Sequence, residues 1–382
     1  MSAPRVRVLL AGAGHVHLTV LRSLAERPDA RIVSTLVSPF AHAVYSGMLP
    51  GAVAGHYEAA DIAIALAPVA AAANVRRVEA HVAELDLNGR VAHLDDGTRQ
   101  PFDVCSLDVG ATIDPRIRGA EHAIALRPIE RFVDRWKNAV DKIPRRGLHQ
   151  LSVIGGGAAG VEMLLAMEHR LRAATRETSF SLVSDTAQLL PQYFDSVRQR
   201  IERTLRAKEV VVWRGSRVDE ITADAITLES GRRIASDLTI LATGAASPPW
   251  LAASGLACDA HGFVRVDDTL RSVSHPFVFA AGDCASAERR SYPRSGVYAV
   301  RQAPILAENL RRMLDGRALV PFRAPKRSLA LISTGEKNAV LSYGFLSAEG
   351  RWAWRLKDRI DRRYVERFRL GGRDARQAGN AD

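Results

Sequence analysis

The stretch that decides the fold is Leu151–Glu162, which reads LSVIGGGAAGVE. An apolar strand leads into a glycine run of the form GxGxxG, and the residues that follow are typical of a helix. A similar stretch earlier in the chain, Val6–Leu18, reads VRVLLAGAGHVHL. In such strand–turn–helix units the glycines let the backbone approach a dinucleotide pyrophosphate, which the N–H groups at the helix N-terminus bind. The pair predicts two nucleotide sites, one for a resident cofactor and one for a visiting cofactor.

The two runs differ at the third glycine. The second run has all three glycines, Gly155, Gly157 and Gly160. The first run has Gly12 and Gly14 but carries His17 at the third position. Because that glycine normally allows close packing of helix on strand, we expect the first helix to be displaced. Taken alone, the first run is also compatible with a plain turn between a strand and a helix.

Composition agrees with a globular protein. The chain has 382 residues, 47% of them hydrophobic and 25% charged, which suits two or three domains with cores of their own. No apolar run is long enough to cross a bilayer, and because the first strand begins close to Met1 we expect no signal peptide. Three scattered cysteines form no CxxC pair and no disulfide framework, so we expect a reducing, cytoplasmic compartment.

The order of these signals predicts an α/β fold with two Rossmann-like dinucleotide-binding domains, the second inserted in the first. We expect residues 1–120 and 244–320 to form the first domain and residues 121–243 to form the second. Residues 321–382 form a C-terminal region, with an amphipathic helix over 351–370.

Three other segments resemble strand ends at a nucleotide site. Phe277–Asp283 reads FVFAAGD, and its terminal aspartate is well placed to accept a hydrogen bond from a ribityl or ribose hydroxyl. Leu238–Gly244 runs into a turn of small residues where the chain and a cofactor can cross closely. Leu107–Ala111 is a looser copy of that pattern.

The chain resembles the type II NADH dehydrogenase-like branch of the pyridine nucleotide–disulfide oxidoreductase superfamily. It is also similar to the NADH dehydrogenase-like module found fused to selenophosphate synthetase; these 382 residues include no synthetase module, so we expect no link to selenium from them. The segments that carry the resemblance span nearly the whole chain in order: Ala11–Leu18, Tyr45–Gly51, Ser106–Gly110, Ser295–Gln302, Leu331–Gly335 and Glu349–Asp361.

The resemblance implies FAD in the first domain and NAD(P)H in the second, with hydride passing from NADH to FAD and electrons passing on to an acceptor. The positions expected to bind FAD are Gly12, Ala13, Gly14, His15, Ser38, Val82, Gly110, Gly282, Asp283, Gly296 and Val297. Those expected to bind NAD(P)H are Gly155, Gly157, Ala158, Gly160, Glu162, Asp185, Thr243 and Gly244.

Two acidic residues carry finer expectations. Asp185 follows the strand Phe180–Val183, where a carboxylate can accept both hydroxyls of the adenosine ribose, and the next arginine is Arg198. We therefore expect NADH to be preferred over NADPH. Glu162 matches the family's glutamate near the nicotinamide and is our one candidate catalytic residue, with a role in positioning. A first-turn glutamate that complements the helix dipole is an equal interpretation from sequence alone.

Residues 38–60 contain no cysteine, although disulfide reductases of this superfamily need a redox pair near the flavin. Cys105 and Cys284 are better interpreted as small buried hydrophobes. We therefore expect a quinone as the acceptor. A reductase of a protein, thiol or sulfur acceptor stays open, as does a non-enzymatic redox sensor or selenium-metabolism accessory. Histidines show no metal-ligand spacing, so no metal is predicted.

The C-terminal region carries a basic amphipathic pattern. Apolar side chains recur at i+4 steps, at Trp352, Leu356, Ile360, Tyr364 and Phe368, among many arginines. Together with the net charge of +11, this pattern predicts a helix at an anionic membrane surface, peripheral on the inner face of the cytoplasmic membrane. Packing of the same stripe on the protein core is the alternative. No nucleic-acid motif accompanies the charge, and a homodimer stays open.

Overall fold

In a computed structural model of the chain, the structure describes residues 5–113, 117–146, 149–172, 178–289 and 292–369, with the backbone alone for 142–146. The strands in these ranges are β1 (Val6–Ala11), β2 (Ile32–Val37), β3 (His42–Val44), β4 (Ala63–Ala65), β5 (Arg76–Val78), β6 (Val82–Asp86), β7 (Val91–Leu94), β8 (Arg99–Pro101), β9 (Val104–Leu107), β10 (Ile124–Ala125), β11 (Gln150–Ile154), β12 (Ser179–Val183), β13 (Val211–Trp213), β14 (Val218–Ile221), β15 (Ala225–Leu228), β16 (Arg233–Ala235), β17 (Leu238–Leu241), β18 (Val264–Val266), β19 (Val278–Ala280), β20 (Ala285–Ala287), β21 (Leu329–Ser333), β22 (Ala339–Tyr343) and β23 (Leu346–Gly350).

The α-helices are α1 (His15–Glu26), α2 (Leu49–Val53), α3 (Ala59–Ile62), α4 (Leu66–Ala72), α5 (Ile129–Arg146), α6 (Ala158–Arg172), α7 (Asp195–Ala207), α8 (Pro249–Ala253), α9 (Gly296–Leu314) and α10 (Arg351–Glu366). Short 3-10 helices cover Ser46–Met48, Ala120–His122 and Gly282–Cys284.

The first sheet is built around β1. Its five parallel strands lie in the order β19-β9-β1-β2-β5. The last four residues of β1 are buried, as expected for a central parallel strand that is covered on both faces. Helix α1 follows β1 directly and packs against α9. The first glycine run therefore lies at the carboxyl edge of this sheet.

The second sheet repeats this arrangement around β11. Its five parallel strands lie in the order β10-β17-β11-β12-β13, and α6 follows β11 as α1 follows β1. A three-stranded antiparallel sheet interrupts each unit at the same point, β6-β7-β8 before β9 and β14-β15-β16 before β17. The whole second sheet lies between β9 and β19 in the sequence, so it is inserted in the first unit. The prediction of two Rossmann-like domains in an α/β fold is confirmed.

The C-terminal region consists of the antiparallel sheet β21-β22-β23 and α10, which packs against that sheet. The predicted single apolar face of α10 is wrong, because Tyr364 and Phe368 are buried, Leu356 is half-buried, and Trp352 and Ile360 are exposed. Residues at i+4 steps drift by about 40° per step around a helix of 3.6 residues per turn. Over the length of α10 the stripe therefore turns from solvent into the core.

The helix is also shorter than predicted. It ends at Glu366, and the end of the predicted helix, at 370, lies outside the described residues. Within the described part of the chain, none of the helices has the length and apolarity that a membrane crossing requires.

Candidate functional site

The first glycine turn, Gly12–Gly14, brings two chain segments into close contact. Gly12 has a φ of +88°, and a Cβ there would lie 2.3 Å from the backbone oxygen of Asp108. Only glycine fits this left-handed position against a neighbouring backbone. The turn is thus fixed against the end of β9, and α1 begins directly after it with His15.

His17 explains how a helix can follow this turn without the third glycine. Its ring is fully buried, with Nδ1 2.6 Å from the Gly12 oxygen and Nε2 2.8 Å from Ser106 Oγ. In the second unit a Cβ on Gly160 would lie only 1.9 Å from the corresponding Gly155 oxygen. An imidazole therefore fits the first unit only because α1 stands further from its strand than α6 does. Burial lowers the pKa of His17 to about 4.

Asp108 is the main feature of the first turn that the sequence did not reveal. It is buried, and its Oδ2 accepts hydrogen bonds from the N–H groups of Val16 and His17, each 2.9 Å long. A carboxylate from the end of β9 thus binds the N-terminus of α1. Burial raises the pKa of Asp108 to about 6, although the two N–H groups favour its charged form.

The second glycine turn, Gly155–Gly157, also lies close to a neighbouring backbone carbonyl, but its other face is open. Gly155 has a φ of +135°, and its Cβ would lie 2.2 Å from the Ala242 oxygen. A Cβ on Gly157 would meet nothing within 4 Å. Ala158 is the first residue of α6, so the helix N-terminus opens onto this space.

Beside this open space lie Thr243 and Gly244. The hydroxyl of Thr243 is buried with no hydrogen-bond partner among the described residues, and a Cβ on Gly244 would meet nothing within 4 Å. An unpartnered buried hydroxyl beside an open helix end is what a bound nucleotide would complete. The residues present therefore fit a dinucleotide.

The predicted ribose-binding position has neighbours that sequence order concealed. Asp185 is exposed, directly after the buried Ser184. The loop after β13 lies against it, since the N–H of Ser216 donates to the Ser184 oxygen over 2.8 Å. Arg214 begins this loop and pairs with Glu202 over 2.9 Å. An arginine therefore belongs to the loop that contacts this turn, although it lies well beyond Arg198 in the sequence.

Asp283 lies where predicted, after β19, but its carboxylate is engaged. It forms an ion pair of 2.6 Å with Arg127, whose side chain is 26% exposed. Arg127 follows β10 of the second sheet, so the pair joins the two units. The neighbouring Gly282 has a φ of +68° and donates its N–H to Gln302 Oε1 over 2.8 Å. Neither Arg127 nor Gln302 was expected from the sequence.

The remaining predicted positions of the first unit follow strands of the first sheet, except Val82, which lies in the antiparallel sheet β6-β7-β8. Ser38 is buried directly after β2 and donates its N–H to the Val78 oxygen over 3.1 Å. Val82 is buried at the start of β6. Ala13 is half-buried within the glycine turn, and Gly110 has a φ of +70° shortly after β9.

The N-terminus of α9 converges on the same region. Gly296 opens that helix, and a Cβ on it would lie 3.3 Å from Ser46 Oγ. The same hydroxyl lies 3.3 Å from Nε2 of His15, at the start of α1. Val297 is 36% exposed at this helix end. Two helix N-termini and the segment that begins at Tyr45 therefore meet.

A cluster of polar groups, the Lys357–Asp361 cluster, connects this meeting point to α10. Lys357 Nζ donates to the Gly47 oxygen over 2.5 Å and to Asp361 Oδ2 over 2.7 Å. Tyr45 donates its hydroxyl to Asp361 Oδ1 over 3.1 Å, and its ring stacks on Tyr364 with centroids 4.4 Å apart. Burial raises the pKa of both tyrosines, so they remain neutral phenols.

Glu162 approaches the same cluster from the second unit. It lies in the first turns of α6, half-buried, and its Oε1 accepts the N–H of Ser333 over 2.7 Å. Burial raises the pKa of Glu162 to about 7, while the positive charge of Lys357 opposes that shift. With this pKa the carboxyl changes its protonation state around neutral pH. The sequence suggested Glu162 but not the partners that α10 supplies.

The cysteines lie away from this region or are enclosed. All three are free thiols; Cys105 is buried within β9 and Cys284 is buried behind Asp283. Burial raises the pKa of both thiols, that of Cys284 to about 12. Neither forms a thiolate at neutral pH. Within the part of the chain that the structure describes, no group of His, Cys, Asp and Glu side chains could hold a metal ion.

The family model for pyridine nucleotide-disulphide oxidoreductases matches residues 6–303, which span both parallel sheets. The chain belongs to this family. Membership confirms the resemblance drawn from the sequence, the expected flavin- and nicotinamide-dependent oxidoreductase, and the use of FAD and NAD(P)H.

Named relatives are more distant. The chain is 23% identical over 375 residues to a probable NADH dehydrogenase of Dictyostelium discoideum, covering 90% of this chain and 82% of the relative. It is 25% identical over 409 residues to the type II NADH:quinone oxidoreductase of Staphylococcus epidermidis, covering 97% of this chain and 98% of the relative. The solved structure of NDH2 from Plasmodium falciparum superposes with a TM-score of 0.80 at 13% identity, covering 95% of this chain and 98% of that one.

Proposed function

We propose that the protein is an NADH:quinone oxidoreductase, with FAD at the first glycine turn and NADH at the second. The observation that carries this proposal is the polar Lys357–Asp361 cluster, which faces both units: Tyr45 donates a hydrogen bond to Asp361, and the charge of Lys357 acts on Glu162 of α6. FAD, when bound, supplies the chemistry that takes two electrons from the nicotinamide and passes them to the acceptor.

The side chains of the cluster hold protons and orient groups. Glu162, with a pKa near neutrality, holds a proton beside the cationic Lys357. Asp361 fixes the ammonium of Lys357, since the two form an ion pair of 2.7 Å with both side chains largely buried. The neutral hydroxyl of Tyr45 completes this arrangement. A quinone needs two protons as well as two electrons, so a cluster able to donate protons suits this acceptor.

The cysteines favour a quinone over a thiol or sulfur acceptor. A thiol-based reductase needs a thiolate that is accessible beside the flavin. Cys105 and Cys284 are fully buried with raised pKa values, and Cys258 is half-buried on a different segment. The relatives named NADH dehydrogenase and NADH:quinone oxidoreductase support the same choice.

We infer NADH as the preferred donor because the exposed carboxylate of Asp185 follows β12. Arg214 competes with this inference, since an arginine near the ribose would favour the 2′-phosphate of NADPH. Comparing kcat/KM for the two donors in wild type and in Asp185→Ala tests it. The variant should lose its preference for NADH, and a wild-type preference for NADPH would overturn the inference.

We further infer that the protein contacts an anionic membrane surface, at the inner face of the cytoplasmic membrane, through the outer side of α10. Trp352 and Ile360 are 50% and 43% exposed, and arginines surround them. Replacing both by serine should weaken binding to anionic vesicles, whereas the control Phe194→Ser, an exposed aromatic outside α10, should not. Equal binding by the double variant and the wild type would refute this contact.

The decisive experiment on function is spectroscopic. The purified chain should be yellow from bound FAD, and anaerobic NADH should bleach the flavin absorbance. A soluble short-chain quinone should then restore the colour and sustain NADH oxidation. Bleaching without quinone turnover would contradict the quinone acceptor and favour a sensor or a protein acceptor. A colourless chain that takes up no FAD would contradict the whole proposal.

A further inference from the structure

The first glycine turn already holds an anionic group of the protein itself. Asp108 Oδ2 accepts the N–H groups of Val16 and His17 at the N-terminus of α1. A Cβ on Gly14 would lie 2.5 Å from Asp108 Oδ1, and a Cβ on Gly282 would lie 2.7 Å from the same oxygen. The carboxylate therefore lies against both glycines, at the helix end where a pyrophosphate is expected to bind.

The second turn provides an internal comparison. Gly12 approaches the carbonyl of Asp108 as Gly155 approaches that of Ala242, with Cβ distances of 2.3 and 2.2 Å. Asp108 and Ala242 are thus equivalent positions. In the second unit, which has Ala242 at this position, a Cβ on Gly157 would meet nothing within 4 Å. In the first unit the carboxylate of Asp108 fills the equivalent space beside Gly14. The extra anion is a property of the first turn alone.

The surroundings of Asp108 do not neutralise it. The titratable groups that face it are His15 and His17 from α1, Asp283 and Cys284 from the segment after β19, and Tyr364 from α10. Burial lowers the pKa of both histidines, and Asp283 is already paired with Arg127. Burial raises the pKa of Asp108 to about 6, and the negative charge of Asp283 adds a smaller effect of the same sign, while the two N–H groups and His15 oppose the rise.

We propose that Asp108 couples FAD binding to proton uptake: its carboxylate takes a proton from solvent so that the pyrophosphate can share the N-terminus of α1. This inference rests on the proposed assignment of FAD to the first turn. A second anion at one helix end raises the pKa of the first, because like charges disfavour ionisation. Binding therefore favours protonated Asp108, and FAD affinity falls as pH rises above about 6, by up to about tenfold per pH unit.

The test measures FAD binding to the full chain after removal of its flavin, by calorimetry between about pH 5.5 and 8.5. Runs at one pH in buffers of different ionisation enthalpy count the protons taken up. Wild type should take up close to one proton per FAD in the part of this range that lies between the pKa of Asp108 in the free protein, about 6, and its higher pKa in the complex. Asp108→Asn, which keeps an acceptor for the N–H groups, and Asp108→Ala, which copies the second turn, should take up none and bind FAD more tightly there.

Glu130→Gln is the matched control, because Glu130 is another carboxyl whose pKa burial raises but it faces β3 rather than α1. It should keep the wild-type pH dependence. FAD binding by wild type without proton uptake, or proton uptake that persists in both Asp108 variants, would overturn the inference while leaving the function intact. Loss of FAD by both folded variants at every pH would also overturn it. Failure of wild type to bind FAD at any pH would instead overturn the proposed function.

Discussion

Replacing Glu162 by glutamine should change how the free energy of unfolding depends on pH. In the folded protein burial raises the pKa of this carboxyl from 4.5 to about 7. The unfolded chain therefore loses the proton at lower pH than the folded protein does. Between these two values the folded state binds more protons, so wild-type stability falls as pH rises through this window. Glutamine cannot titrate and removes this contribution.

The size of the effect follows from the shift. One pKa unit corresponds to about 1.4 kcal/mol, so the full shift would be worth at most about 3.5 kcal/mol. Glu162 is half-buried, and measurements at pH 5 and pH 8 capture only part of its titration. We therefore expect that, from pH 5 to pH 8, wild type loses about 2 kcal/mol of stability relative to Glu162→Gln.

The assay is urea unfolding of the FAD-loaded full chain at both pH values, followed by tryptophan fluorescence and circular dichroism. At each pH we subtract the free energy of unfolding of the variant from that of wild type. The double difference is the value at pH 8 minus the value at pH 5. Glu26→Gln serves as the control, because its carboxylate is 53% exposed and pairs with Arg22 on the surface of α1. This control should leave the double difference within about 0.5 kcal/mol of zero.

A double difference near zero for Glu162→Gln would refute the reasoning, since it would mean that the carboxyl titrates at its ordinary pKa. A difference of opposite sign would mean that Lys357, rather than burial, controls it. In either case Glu162 would not hold a proton at neutral pH, and its proposed role beside the acceptor would have to be abandoned.

Three further predictions concern the glycine turns and the thiols. Gly157→Val should abolish flavin reduction by NADH in stopped-flow measurements while FAD stays bound, because the side chain would occupy the open nucleotide space; reduction at the wild-type rate would contradict this placement. His17→Ala should lower the free energy of unfolding by about 2–4 kcal/mol, through a cavity and two lost hydrogen bonds, and an unchanged urea midpoint would show that the imidazole is dispensable. Serine at Cys105, Cys258 and Cys284 together should leave NADH:quinone turnover within about threefold of wild type in a folded, FAD-bound protein, since buried neutral thiols form no thiolate; a loss of orders of magnitude would restore a thiol mechanism.

The local sequence was sufficient to predict the two nucleotide-binding units. A buried parallel strand is a short apolar run, and the turn after it needs glycine at Gly12 and Gly155 because the backbone there is left-handed and in close contact. These requirements involve residues that are neighbours in the chain, so the sequence pattern alone is enough to recognise them. The fold class followed from them, and the family followed from the segments along the chain that resemble it.

The same local reasoning wrongly predicted which side chains of α10 share one face. Apolar spacing predicted an amphipathic helix, but the direction of its buried side depends on the sheet β21-β22-β23 beneath it. Because an i+4 stripe drifts around the helix, one pattern supplied both the buried Tyr364 and the exposed Trp352.

The chemistry of the sites was decided by tertiary structure. Asp108 reaches Val16 and His17 across 92 and 91 residues, and Asp283 pairs with Arg127 across 156. Lys357 reaches Gly47 across 310 residues. Charge and burial depend on which groups the fold places side by side, and no spacing along the chain encodes such distances. The sequence by itself therefore determined the two glycine turns and the strands that lead into them, whereas tertiary packing alone decided which carboxylates hold a proton beside them.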